Sequence, residues 1–195
     1  MTDSTHLPAR LLDAAQFTVE RKLGSTGNLM IKDRKGVKLG SAHEAGNKSM
    51  RALKSMSDGL FFPSRPIQVR DRDGQPALWI KSCGVVRRSI LTVHRPDRTE
   101  MVRLIGKDWA SETRNTGYWI KVDDERAGEI VADKRDYVIL DSAGTERARI
   151  EMERVERDSR SAYSAPLRTT LHTGRRLSEP FATVALAATI LRHRA

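Results

Sequence analysis

The sequence predicts an all-β fold, a closed antiparallel barrel of about twelve strands around a buried hydrophobic C-terminal helix. Three observations carry that prediction. Short β-rich runs with period-two alternation recur along the chain, and Asp-x-x-Gly turns punctuate them. The segment Pro180–Leu191, near the C-terminal end, is apolar on every side.

In order, the strand candidates are Phe17–Lys22, Leu29–Lys32, Val37–His43, Ile67–Arg70, Ala77–Lys81 and Ser89–His94. They continue with Met101–Ile105, Tyr118–Val122, Ala127–Val131, Tyr137–Leu140, Thr145–Glu153 and Ala162–Leu171. Ala148, Ile150 and Met152 alternate with charged residues, and Tyr163, Ala165, Leu167, Thr169 and Leu171 share a face. Such alternation puts one face in a core and one in water, which is the habit of antiparallel sheets. The turns are Asp33-Arg-Lys-Gly36, Asp71-Arg-Asp-Gly74 and Asp141-Ser-Ala-Gly144, with a looser copy at Asp123 and Gly128 and another turn at Pro96-Asp97. Asp accepts backbone N–H bonds at the first turn position, and Gly supplies positive φ where the chain reverses. Lys48–Met56, with Met50, Leu53 and Met56 at helical spacing, predicts a short helix in the connection Glu44–Phe62.

The last segment differs in kind. Ser178 suits an N-cap, Glu179 opposes the positive end of the helix dipole, and Pro180 is tolerated in a first turn. Phe181, Val184, Leu186, Ile190 and Leu191, with intervening alanines, then cover every face. A helix apolar all round is surrounded by protein, and its alanines keep it slim. Barrels of eight strands are filled by side chains alone, whereas about eleven or more can hold a helix. At about 18 Å, the segment is short of the roughly 30 Å of a bilayer core. The expected organisation is an N-terminal extension over 1–16, then one barrel domain over 17–195 with its central helix at about 179–192.

Thirty-five basic residues against 25 acidic ones leave a net charge of +10 on 195 residues. That balance favours polyanionic partners: anionic membrane lipids, nucleic acid or an acidic protein. Cys83 is the single cysteine, so no intrachain disulfide forms and a reducing, cytoplasmic setting is expected. The N-terminal residues lack the charged-then-apolar pattern of a signal peptide.

Asp71-Arg-Asp-Gly-Gln-Pro-Ala-Leu-Trp-Ile80 resembles the Asp-x-x-Gly hairpins of the LURP-one-related and phospholipid-scramblase-like proteins. The runs Tyr118-Trp-Ile-Lys-Val-Asp123 and Tyr137-Val-Ile-Leu-Asp-Ser-Ala-Gly144 add to the resemblance, as does the terminal apolar helix; it extends from about Phe17 to Arg192. It implies the Tubby C-terminal fold, a twelve-stranded barrel threaded by a hydrophobic helix, and intracellular, non-enzymatic roles. Among these are phosphoinositide binding, lipid scrambling and plant defence. The Pro-rich N-terminus and the cysteine cluster of scramblases are absent here. The stretch matching their calcium segment, Arg160-Ser-Ala-Tyr-Ser-Ala-Pro-Leu-Arg168, has no carboxylate to serve as a hard oxygen ligand.

No catalytic constellation stands out. The five histidines show no metal-ligand spacing, and neither a Gly-x-Ser-x-Gly elbow nor a phosphate loop occurs. Gly24-Ser-Thr-Gly27 reads as a hairpin loop, and Asp123-Asp124-Glu125 as a turn. Trp79 and Trp119 fall in strands, where core packing accounts for them. The candidate binding residues are basic: Lys32, Arg34, Lys35 and Lys38 around the first turn, the pair Arg87 and Arg88, and Arg175 and Arg176 before the helix. Lys48, Arg51 and Lys54 recur at helical spacing. The expectation is a non-enzymatic binding domain without metal or cofactor, peripheral to membranes through a basic surface. The alternative is a nucleic-acid-associated or protein-interaction module.

Overall fold

A computed structural model describes residues 11, 16–21, 28–45, 66–85, 88–107, 117–133, 135–154 and 167–192. It contains twelve strands: β1 (Gln16–Arg21), β2 (Asn28–Asp33), β3 (Lys38–Glu44), β4 (Ile67–Asp71), β5 (Pro76–Val85) and β6 (Arg88–His94). They are followed by β7 (Glu100–Gly106), β8 (Gly117–Val122), β9 (Glu125–Asp133), β10 (Asp136–Asp141), β11 (Glu146–Arg154) and β12 (Leu167–His172). Each strand pairs with its sequence neighbour, and β1 pairs antiparallel with β12, closing the barrel. The C-terminal helix α1 (Phe181–Arg192) completes the fold.

Each expected strand is present to within a few residues. The described part of β12 begins at Leu167, so Ala162–Pro166 of that prediction lie outside the described residues, as do the Lys48–Met56 helix and the Gly24–Gly27 loop.

The inward side chains form continuous cross-strand rows. Ile67, Ile80, Val93 and Val102 are register partners from β4 to β7, each at most 3% exposed. Phe17, Leu171, Ile150 and Tyr137 form a second row across the closure seam. Every residue of α1 from Phe181 to Ile190 is buried, and it belongs to the same hydrophobic core as these rows. The helix therefore fills the lumen, and burial of its whole circumference is the stabilisation the sheet's inner face requires. Two buried hydroxyls on it are satisfied locally: Thr183 Oγ1 donates to Glu179 Oε1 at 3.0 Å and Thr189 Oγ1 to the Ala185 carbonyl at 2.7 Å. The helix starts just after Pro180, whose carbonyl accepts from the Val184 N–H at 3.0 Å. Ser178 contributes its backbone carbonyl, 3.1 Å from the Ala182 N–H. The predicted start at residue 179 is thus two residues early, a shift within the fraying of helix ends.

Because the strands form an up-and-down meander, their connections alternate between the two barrel ends. At one, the turn end, lie residues 33–37, 71–75, 95–99, 123–124 and 142–145, together with the 173–180 passage into α1. The opposite, loop end receives the other connections and the exit of α1.

The turn-end hairpins are built alike. Asp33, Asp71 and Asp141 each accept two backbone N–H bonds on Oδ1, from the residues two and four positions on, at 2.8 to 3.0 Å. Gly36, Gly74 and Gly144 follow at φ of 79°, 83° and 79°. A β-carbon at any of them would meet nothing within 4 Å, so the requirement is for the dihedral and not for space. The strand register shifts beside each of these turns, a bulge that adds twist. In the β8–β9 hairpin the turn is only Asp123-Asp124, at φ of 49° and 64°, and Gly128 lies within β9. The looser Asp123/Gly128 turn of the sequence prediction is replaced by this tighter one, because Asp tolerates the left-handed region.

Candidate functional site

The turn end is divided by charge. Reading around it, the 173–180 passage carries Arg175 and Arg176. The β2–β3 turn carries Arg34, Lys35 and Lys38, the β4–β5 turn Arg72, and the β6–β7 turn Arg95 and Arg98. All of these residues are exposed. Successive turns are two strands apart, about 10 Å at ordinary strand spacing. That distance is close to the ~8 Å screening length of physiological salt, so their potentials overlap. Among the described residues, Arg34, Lys35, Lys38, Arg72 and Arg175 have no carboxylate partner, and Arg95 makes no ion pair, although its charge acts on Asp97 of the same turn. Three acidic side chains of this arc are engaged within their own turns, Asp33 and Asp71 as above, and Asp97 on the Thr99 N–H at 2.9 Å and on the Thr99 hydroxyl, while Asp73 beside Arg72 is exposed. The hydroxyl, then the N–H, hold the Asp97 carboxyl below its usual range.

The rest of the turn end is different. Asp123, Asp124, Glu125 and Glu146 are exposed there, and the nearby arginines, though not Lys121, are paired. Arg103 reaches Asp124 at 2.8 Å and Glu100 at 2.9 Å, Arg147 reaches Asp141 at 3.7 Å, and Arg149 reaches Glu146 at 3.0 Å.

The predicted basic residues separate accordingly. Arg34, Lys35, Lys38, Arg175 and Arg176 share the turn end. Lys32 stands on the barrel wall and pairs with Glu20 at 2.8 Å, and Glu20 also takes Arg168 of β12 at 2.8 Å. The Lys32 bond is the chief reason the Glu20 carboxyl titrates below its usual range, with burial opposing it and the Arg168 bond adding to it. Arg88 begins β6 at the loop end, away from the arc, while Arg87, Lys48, Arg51 and Lys54 lie outside the described residues.

Both strand tryptophans face outward, which corrects the expectation of core packing. Ala77-Leu78-Trp79-Ile80 and Tyr118-Trp119-Ile120 are apolar in both phases of the strand; Leu78, Ile80 and Ile120 take the inside. Trp79 lies in an outer row between Gln68 and His94, and Trp119 between Ile105 and Glu129. Cations cover the half-buried rings: Arg98 at 3.7 Å from the Trp79 centroid, and Arg126 at 3.7 Å and Lys107 at 4.4 Å from that of Trp119. Lys107 and Arg126 also share Glu129, at 2.6 and 3.4 Å.

Around Trp79 the wall is polar and well bonded. Arg70 forks onto Gln68 Oε1 at 3.1 and 2.8 Å and donates to the Gly74 carbonyl at 3.1 Å. His43 pairs with Gln68 in register; burial, then the Arg70 charge, lowers its pKa, against a side-chain hydrogen bond with Gln68.

At the loop end, a cleft of about 40 Å³ lies between α1 and β7–β10, lined by Leu104, Tyr118, Ile130, Tyr137 and Ala188 with Leu191 and Arg192. That is room for little more than water, the consequence of the filling helix. Arg192 stands over the Tyr137 ring at 4.5 Å and donates to the Arg135 carbonyl at 2.9 Å. Burial raises the Tyr137 phenol pKa, with the Arg192 charge opposing. Among the described residues no group of three or more His, Cys, Asp or Glu side chains is placed to hold a metal ion, and no helix is long and apolar enough to cross a membrane.

No protein-family model matches this chain, and no curated protein does. Among solved structures, the chain is similar to a crystal structure of a protein from Arabidopsis thaliana, at 15% identity and a TM-score of 0.52, over 95% of this chain and 96% of that one. At that identity the likeness concerns the fold, and it supports the closed twelve-stranded barrel with its C-terminal helix.

Sequence reasoning overlooked Arg72, Arg95 and Arg98. A signal for the last was present: Arg95-Pro-Asp-Arg-Thr99 carries Arg where the three Asp-x-x-Gly turns carry Gly.

Proposed function

We propose that this chain is a non-enzymatic binding domain of the LURP-one-related and scramblase-like kind, and that it engages anionic phospholipid head groups through the basic arc of its turn end. One observation carries the reading: exposed cations without a carboxylate ion pair among the described residues are gathered on one side of one barrel end, while the other side pairs its arginines. The filled lumen leaves the outer surface as the place where a large ligand can be met. Val37, the large apolar side chain exposed on the described surface at 45%, lies in the middle of that arc between Lys35 and Lys38. An apolar residue among cations suits the boundary between head groups and acyl chains.

Each Lys or Arg close to an anionic leaflet contributes about 1 kcal/mol. Four of them give roughly 4 kcal/mol, a reversible and salt-sensitive attachment. The test is flotation with phosphatidylcholine vesicles, with and without phosphatidylserine, at physiological salt. The wild type floats only with the anionic vesicles, and the double variant Arg34→Glu/Lys35→Glu stays behind. A wild type that ignores anionic vesicles, or a double variant that binds as well, refutes the assignment. Tight duplex DNA binding with a steep salt slope, in place of vesicle binding, would move the arc to nucleic acid.

A further inference from the structure

The β6–β7 turn departs from the three Asp-x-x-Gly turns. Its hydrogen bonds are theirs: the Arg98 N–H donates to the Arg95 carbonyl at 3.0 Å and the Arg95 N–H to the Thr99 carbonyl at 2.9 Å. The residue in the left-handed position is Arg98, at φ of 74°, where Gly36, Gly74 and Gly144 stand elsewhere. A β-carbon in that region is strained, and glycine would relieve it. Strain of this kind, kept where a simpler residue serves three times over in the same molecule, marks a position held for something other than folding.

What the strain secures is the placement of a guanidinium. Its carbon lies 3.7 Å from the centroid of Trp79. His94 Nδ1 is 3.0 Å from the Arg98 carbonyl, which can only accept, so that nitrogen carries the proton; Nε2 lies 2.9 Å from Thr92 Oγ1. Ring and imidazole thus hold both ends of the residue. A cation stacked on a ring face leaves its N–H edge turned to solvent, and that planar fork matches the oxygens of a phosphate. Arg95 on the same turn and Arg72 on the adjacent one are exposed; among the described residues Arg72 has no carboxylate partner, and Arg95 makes no ion pair though its charge acts on Asp97. Several cations around one fork favour a doubly charged group over a single carboxylate.

We propose that Arg98, stacked on Trp79 and flanked by Arg95 and Arg72, is a binding subsite for a phosphate monoester. The proposal deepens the head-group reading above and rests on the same basic arc. A lipid head group and a free phosphorylated solute offer the same chemistry, and the two arms of the test separate them.

In the first arm inorganic phosphate is titrated at constant ionic strength and tryptophan fluorescence is read. The wild type gives a saturable change that is absent from Trp79→Phe and weakened at least about tenfold in Arg98→Gly, the loss of one charge-assisted fork. In the second arm, vesicles carrying phosphatidic acid, whose head group is a phosphate monoester, are compared with phosphatidylserine vesicles of equal charge. A wild-type preference for phosphatidic acid that disappears in Arg98→Gly assigns the subsite to lipid. A phosphate response without that preference assigns it to a soluble phosphate ester. Arg98→Gly should melt at or above the wild-type temperature, since glycine fits this turn. No saturable response in the wild type, or an Arg98→Gly that titrates like it, overturns the proposal; so does an Arg98→Gly that melts well below the wild type, which would make Arg98 a residue kept for stability. Loss of vesicle binding with the phosphate response intact would instead refute the head-group reading alone.

Discussion

Leu186 occupies the middle of α1 with no exposed surface, and truncating it tests whether the helix is enclosed on all sides. Leu186→Ala removes three carbon centres. At about 0.8 kcal/mol each, the transfer part comes to roughly 2.4 kcal/mol. A ring of twelve paired strands cannot collapse far onto the gap, so a cavity contribution is added. Together these place the loss at about 3 to 4 kcal/mol, within the range of buried leucine truncations. That is a hundred- to thousand-fold change in the folding constant, from a net stability of about 5 to 15 kcal/mol. Leu191, half-buried at the far end, should cost roughly half as much on truncation. The opposite perturbation applies on the helix's other sides: Ala185→Leu and Ala187→Leu, both at 0% exposure, should each cost about 1 to 3 kcal/mol by overpacking. Urea unfolding followed by circular dichroism and by tryptophan emission measures all four. A loss below about 1 kcal/mol for Leu186→Ala, or tolerance of leucine at both alanine positions, would mean that α1 has a free face and that the barrel is not built around it.

Three further outcomes follow from the same structure. Glu20→Gln removes the link between Lys32 and Arg168 across the β1–β12 seam and should lower stability by about 1 kcal/mol at neutral pH. Because the folded state holds this carboxyl below its ordinary value of 4.5, the contribution is present above about pH 4.5 and fades as pH falls through the lower folded value; urea midpoints from pH 3 to 7 should therefore slope less in the variant. His43 is likewise depressed, so the unfolded chain takes up the proton first. Stability attributable to it declines as pH drops below about 6.5, and a His43→Gln protein whose profile between pH 5 and 7 matches the wild type would contradict the assignment. Gly74→Ala, at φ of 83° but with open space around the added carbon, should cost about 1 to 2 kcal/mol, and an unchanged melting temperature would count against a strict left-handed requirement there.

The strand and helix plan was legible in the residues themselves. Alternation such as Ala148, Ile150 and Met152 against Arg147, Arg149 and Glu151 is a local property, because successive side chains on a strand point to opposite faces. Asp33, Asp71 and Asp141 acted on backbone atoms within four residues, so their turns could be recognised without knowing the fold. The apolar circumference of Phe181–Leu191 announced enclosure in the same way. Where a strand was apolar in both phases, alternation had nothing to say, and Trp79 and Trp119 were assigned to the wrong face.

The residues by themselves therefore determined the elements, the kind of turn between them and the helix's need to be surrounded. Only the closed barrel decided which charges meet. Glu20 and Arg168 are 148 residues apart, and the β1–β12 pairing makes them neighbours. The same closure sets Arg175 and Arg176 at one end with Arg34, Lys35, Arg72, Arg95 and Arg98, and leaves Arg88 at the other. Charge has no periodicity that betrays its partners. It acts through space over about a screening length, and which residues fall within that length is settled by strand order and by the parity of the turns.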